Sequence, residues 1–216
     1  MPSDPTPPRG NRRDAVATRA ELLQAALAEF SAFGFEGGRV DRIAAAAGVN
    51  KQLVYYYFGS KSDLYRCALE HVYAEIRAAE RELHLADLPP VEAMRVLVGF
   101  SFDYLDKHPE FIKLLGDENR MGAPHVARSD QLAEMHSPLV AMVGETLARG
   151  VAAGQFHDRF DPVNLYMSIA ALGFFYFANR PTLSAIFDRD LTTPAQVALR
   201  RQHAVDLVLL SLRPEG

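Results

Sequence analysis

The chain of 216 residues holds one cysteine, Cys67, so it has no intramolecular disulfide and no all-cysteine metal site. On a helix, that lone thiol reads as a small buried hydrophobe rather than a redox switch. There is no run of about eighteen apolar residues to span a bilayer. The start, MPSDPTPPRGNRR, lacks the apolar stretch of a signal peptide. Together these absences predict a protein that stays in the cytoplasm, with no membrane partner. Sustained apolar-polar alternation is missing too, so the 49% of apolar residues must build their core from helices.

Catalytic signatures are equally scarce. None of the seven histidines follows a glutamate by three residues, as a di-iron bundle requires. Two histidines four apart, a Walker loop and a Rossmann glycine fingerprint are all absent. The expectation is a non-enzyme with no cofactor. Two rivals stand beside it: an all-α enzyme with a mixed metal site at His125, His136 and Glu134, and a helical adaptor that does not read DNA.

What the chain does have is helix after helix. Proline and polar residues over 1–12 predict a disordered tail. A first helix over 13–33 places Val16, Leu23, Ala26, Leu27, Phe30 and Phe33 on one face, and Gly34 closes it. A second, over 39–47, aligns Val40, Ile43, Ala44 and Ala47. Gly48 ends it by taking the left-handed conformation, and the Asn50 side chain caps a short third helix. There Val54, Tyr57 and Phe58 share one side, leaving Lys51, Gln52, Leu53, Tyr55 and Tyr56 pointing mostly elsewhere. Seven or eight residues cannot hold a helix alone. An outward face with one cation, one amide and two phenols suits phosphates and base edges.

Ser60 is placed to cap a long fourth helix, over 61–85, with Leu64, Ala68, Val72 and Ile76 inward. Further helices are expected over 91–107, 110–119, up to 154 with a bend near Pro138, 162–178 and 194–212. That makes about nine in an all-α fold. Residues 13–60 form a three-helix head, and 61–216 a larger body. The net charge is −4, which argues against a protein that coats nucleic acid. Residues 1–65 carry eight Lys/Arg against seven Asp/Glu, while 66–216 carry fifteen against twenty. An acidic body should keep the slightly basic head turned toward DNA.

The head resembles the TetR family of bacterial transcriptional regulators. The resemblance lies in Gly34-Phe35, Val40, Ile43-Ala44, the run AGVNKQLVYYYFGSK and Leu64, and covers about residues 13–68. Gly38 departs from it where threonine is common, Asn50 where serine is common, and Gln52-Leu53 where a small residue and threonine are common. The DNA contacts expected are Arg39, Arg42, Asn50, Lys51, Gln52, Leu53, Tyr55, Tyr56 and Lys61.

The resemblance also implies a homodimer through the last two helices, bound to a palindromic double-stranded operator with half-sites one turn apart. Met167, Ala170, Ala171, Phe174 and Phe175 on one helix, and Val197, Arg201, Ala204, Val205, Val208 and Leu212 on the other, are the expected stripes. A repressor that leaves its operator when a small, largely apolar effector binds the body is the implied mechanism. A surplus of aromatic and methionine side chains beside the break at 117–125 supports an effector cavity. Its expected lining is Phe100, Tyr104, Phe111, Glu118, Asn119, Met121, Met135, His136, Met167 and Phe174.

Overall fold

Nine α-helices and two single 3-10 turns account for the regular structure in the computed structural model, which describes residues 9–214, the side chains of 9–14, 136 and 137 excepted. The helices are α1 (Arg9–Gly37), α2 (Val40–Ala46), α3 (Lys51–Phe58), α4 (Lys61–Arg81), α5 (Pro90–Lys107), α6 (Pro109–Arg120), α7 (Asp130–Ala152), α8 (Pro162–Ile186) and α9 (Pro194–Leu212). No strand occurs among the described residues. No helix among them is long and apolar enough to cross a membrane.

Several boundaries differ from the sequence expectation. The first helix begins at Arg9, inside the stretch expected to be tail, and residues 1–8 lie outside the described ones. Helical structure resumes past Phe33, but Gly34 (φ 67°, ψ −179°) is non-helical and ends the first segment as expected, with a short second segment continuing to Gly37. Pro138 sits inside a continuous α7, and α8 continues through Pro181 to Ile186 instead of stopping near residue 178. A proline removes one backbone bond and clashes with the preceding turn, a cost that tertiary packing can offset. The fourth helix stops at Arg81, short of residue 85, and Leu85–Asp87 forms a 3-10 turn.

The chain divides into two compact units, one of residues 1–71 and 113–129, the other of 72–112 and 130–216. The first contains the head, and also the end of α6 with the loop after it. Its core joins Leu22, Ala26 and Phe30 of α1, Ile43 and Ala44 of α2, Val54 and Phe58 of α3, and Leu64 and Leu69 of α4. Burying each large side chain contributes about 1.5–3 kcal/mol, which is what holds helices as short as α2 and α3. The inward stripe of α1 differs at its ends from the expected one. Val16 and Phe33 are 69% and 55% exposed, and Phe33 instead carries the Arg42 guanidinium over its ring at 4.3 Å.

In the second unit α5 is central, packed against α7, α8 and α9. Gly173 lets α8 come close to it: an added Cβ would sit 3.0 Å from Leu105. Arg201 of α9 reaches Asp103 of α5 at 2.7 Å, and Arg149 of α7 donates to the carbonyls of Leu85, Ala86 and Leu88, pinning the turn between α4 and α5.

Candidate nucleic-acid interface and effector cavity

The turn between α2 and α3 is built as its residues dictate. Gly48 adopts φ 67°, with the Val49 amide donating back to Ala44. Asn50 Oδ1 accepts from the Leu53 amide at 2.9 Å, the expected cap. Ser60 caps α4: the Asp63 amide donates to Ser60 Oγ at 3.0 Å, and the Ser60 hydroxyl donates to the Asp63 carboxylate at 2.6 Å. Gly38, where the resemblance would lead one to expect threonine, has a packing reason. A Cβ there would lie 2.7 Å from the Phe30 ring and 2.9 Å from the Gly34 carbonyl.

Along α3, Val54 and Phe58 are buried, while Lys51, Gln52, Tyr55 and Tyr56 are exposed and Leu53 is half-buried. Lys51 is tied loosely to Asp41 at 2.9 Å, both largely in water. Its hydrogen bond to Asp41 raises its pKa, so it keeps its charge. Lys61 donates to the Glu36 carbonyl at 3.3 Å and lies 4.8 Å over the Phe35 ring, at the start of α4. Two expected DNA contacts have work within the head. The Arg39 amide and the Arg42 Nε both donate to Glu29, at 2.8 and 2.7 Å, and Arg42 also reaches the Gly37 carbonyl. Burial works to raise the Glu29 pKa, but these bonds outweigh it and hold the carboxyl below its usual range.

The first unit also uses residues expected to bind an effector. Glu118, fully buried, accepts from the amides of His125 and Val126 at 2.7 and 2.9 Å and contacts the His125 ring at 2.8 Å. Its carboxylate is filled by its own chain, so the expected ligand role gives way to clamping the loop after α6. Asn119 is exposed and Met121 half-buried, in the same unit. Beside Glu118, Asp117 accepts from the Phe35 amide at 2.6 Å, the Tyr65 hydroxyl at 3.1 Å and Arg120 at 2.6 Å. Burial opposes ionisation of Asp117, yet these donors keep its pKa lowered. Burial and the neighbouring Asp117 charge push the Tyr65 phenol well up, so it stays a donor. Phe35, Tyr65 and His125 form a cluster of rings 4.7 to 5.1 Å apart.

In the second unit, a cavity of about 50 Å³ is lined by Arg77, Glu80 and Arg81 of α4 and by Met135, Pro138, Leu139 and Met142 of α7. Met135 is the one residue of the expected effector lining found there. Tyr104 stacks on His108 at 4.0 Å and Phe111 meets Tyr73 at 5.1 Å, so both are held in ring contacts of the second unit. Phe100 and Phe174 are half-buried, and the His136 side chain lies outside the described ones. Met167 is 51% exposed on α8. Among the described residues no group of three His, Cys, Asp or Glu could hold a metal, and His125 is engaged by Glu118.

Family profiles match both parts of the chain. That for "Bacterial regulatory proteins, tetR family" covers residues 22–67, and that for "Tetracyclin repressor-like, C-terminal domain" covers 90–208. The chain belongs to the TetR family. It is 38% identical over 201 residues to the HTH-type transcriptional repressor NicS of Pseudomonas putida, covering 93% of this chain and 95% of that one. With the HTH-type transcriptional regulator RutR of Escherichia coli it is 28% identical over 209 residues, 95% of each chain. Among solved structures, SCO4942 of Streptomyces coelicolor superposes with a TM-score of 0.67 at 27% identity, over 91% of this chain and 99% of that one.

As a TetR-family member the protein is a ligand-responsive transcriptional regulator, not an enzyme. Two features of its body escaped sequence reasoning. Arg77 and Glu80 continue the stripe of Val72, Tyr73 and Ile76 at helical spacing, and a charged pair on an apolar stripe is the signal that marks them. On α9 the expected dimer residues Ala204, Val205, Val208 and Leu212 are buried within the chain, whereas Leu199, Leu207 and Leu210 are exposed. On α8 the free apolar side carries Val163, Met167 and Phe175.

Proposed function

We propose that this protein is a transcriptional repressor that binds a palindromic operator as a homodimer and leaves it when a small organic effector occupies the body. The observation that carries the reading is the face of α3. Lys51, Gln52, Tyr55 and Tyr56 stand exposed on a helix whose other side is held by Val54 and Phe58 and whose start is fixed by Asn50 and the turn at Gly48. A rigid, polar, cation-bearing helix face is what major-groove reading requires. Gln52 would read a base edge, while Lys51, Tyr55 and Lys61 would hold phosphates. NicS and SCO4008 are named as repressors, which favours repression here as well.

The dimer would use the side of α8 with Val163, Met167 and Phe175 and the side of α9 with Leu199, Leu207 and Leu210. Apolar groups recurring at helical spacing on an exposed face mark an association surface. It acts on DNA in the cytoplasm. The coupling element would be α4, which contributes its first half to the unit of the head and its second half to the body. The test is fluorescence anisotropy with DNA from the protein's own upstream region, together with sedimentation. Saturable, salt-sensitive binding by a dimer is expected. Phe175→Glu with Leu210→Glu should give a monomer that binds this DNA at least about tenfold more weakly. A chain that stays dimeric with both changes would place the interface elsewhere, and one with no preference for its upstream DNA would favour an adaptor.

A further inference from the structure

In the second half of α4, Arg77 and Glu80 are 5% and 3% exposed, as enclosed as the apolar residues beside them. A guanidinium does not lose its proton in a protein, so once buried it needs both a negative partner and acceptors for its N–H groups. Glu80 answers only part of that need. Its Oε2 lies 3.0 Å from Nη1, but off the direction a hydrogen bond requires. Both Nε and Nη1 are buried with no hydrogen-bonded acceptor among the described residues. Burial also pushes Glu80 up to about 7 against the pull of Arg77 and Arg81, so near neutral pH part of the population has no charge to offer. The Tyr166 ring, 5.9 Å from the guanidinium carbon, supplies a face but no acceptor.

Arg77 borders the 50 Å³ cavity, whose opposite wall is Met135, Pro138, Leu139 and Met142. A single water needs ~10–15 Å³ of such space, so several heavy atoms fit. One end therefore offers a buried cation short of acceptors, and the rest offers apolar, adaptable methionine and leucine surface. That combination selects an anion with an apolar body. We propose that the cavity is the anchoring end of the effector site and that the effector is a small organic carboxylate, its carboxylate bonded to Arg77 and its apolar part laid along Met135, Leu139 and Met142. This rests on the effector-responsive reading above. A phosphate ester fits less well, because its larger charge would face Glu80 and only Arg77 of the two arginines lining the cavity is enclosed, Arg81 being exposed to water.

The experiment uses the full-length protein and a panel of butanoate, hexanoate, benzoate and phenylacetate, each beside its amide at about 10 mM. At least one acid should raise the Tm by about 5 °C while its amide does not. Arg77→Met should weaken that acid at least about tenfold by calorimetric titration, whereas Glu80→Gln, which removes the internal competitor, should bind it as tightly or more so. If Arg77→Met fails to fold by circular dichroism, the Glu80→Gln comparison decides alone: weaker acid binding there overturns the proposal. So does a panel in which no acid shifts the Tm, in which amides match acids, or in which Arg77→Met leaves affinity unchanged. Operator anisotropy separates the two readings. An acid held by Arg77 that leaves the operator complex intact supports the site and sinks effector control, while release by a neutral compound unaffected by Arg77→Met does the reverse.

Discussion

Two ion pairs of almost equal length behave as opposites because of where they lie. Lys51 and Asp41 meet at 2.9 Å on the head, with 48% and 70% of their side chains exposed. Arg77 and Glu80 meet at 3.0 Å in the body, at 5% and 4%. Water and salt screen the first pair, so it adds little to stability and Lys51 can exchange Asp41 for a DNA phosphate at small cost. The second has lost its water, and its uncompensated donors cost free energy until something fills them. Separation alone does not set an interaction; solvation does. The exposed pair can be broken and remade in water, whereas the enclosed pair leaves donors that only a buried acceptor can satisfy.

The largest expected effect comes from a buried group whose partners are complete. Glu118→Ala would strand the His125 and Val126 amides and the His125 ring, and should destabilise the protein by about 3–5 kcal/mol in urea titration. A loss under about 1 kcal/mol would mean water fills the gap, and the contrast between the regions would shrink.

Next comes the pH dependence of Glu80. Its carboxyl titrates near 7 when folded against 4.5 as the ordinary value, so the folded state holds more protons between those limits. Stability should therefore rise as pH falls from above 7 toward 4.5, by on the order of 3 kcal/mol. Glu80→Gln should flatten that part of the profile. Thermal melts at a series of pH values decide it, and a parallel slope in the variant would assign the effect to another group.

A smaller effect is expected at the DNA. Gln52→Ala should lose about 1–3 kcal/mol of discrimination at one base pair, read by operator selection from random sequence. An unchanged selected motif would remove Gln52 from base reading. Smallest is Lys51→Ala, which should leave folding stability almost untouched yet flatten the salt dependence of DNA binding by about one unit of slope. If its melting temperature falls noticeably while the slope stays, the exposed pair is structural and the comparison fails on its weaker side.

Much of the head was legible because its devices are local. Gly48, Asn50 and Ser60 act on amides within three or four residues of themselves, and the stripe of Val40, Ile43 and Ala44 repeats at the helical period. Of the lining expected for an effector, Met135 borders the cavity between α4 and α7. Glu118 looked available because its partners, the His125 and Val126 amides, are reached through the loop that follows α6. On α9 the stripe expected to pair packs within the chain for a related reason. Periodicity reports that a helix has apolar sides, and Leu199, Leu207 and Leu210 compete with Ala204, Val208 and Leu212 for the same role.

The sequence by itself determined an all-α chain, the caps and turn of the head, and the outward residues of α3, because hydrogen bonding within one turn and apolar spacing along one helix need no knowledge of neighbours. Tertiary structure alone decided which side of α9 meets α5, that Glu118 is consumed as a clamp, and that Arg77 and Glu80 are enclosed beside a cavity. Burial and dielectric belong to the assembled layers of helices. No short stretch of sequence can specify how much water its charges will keep.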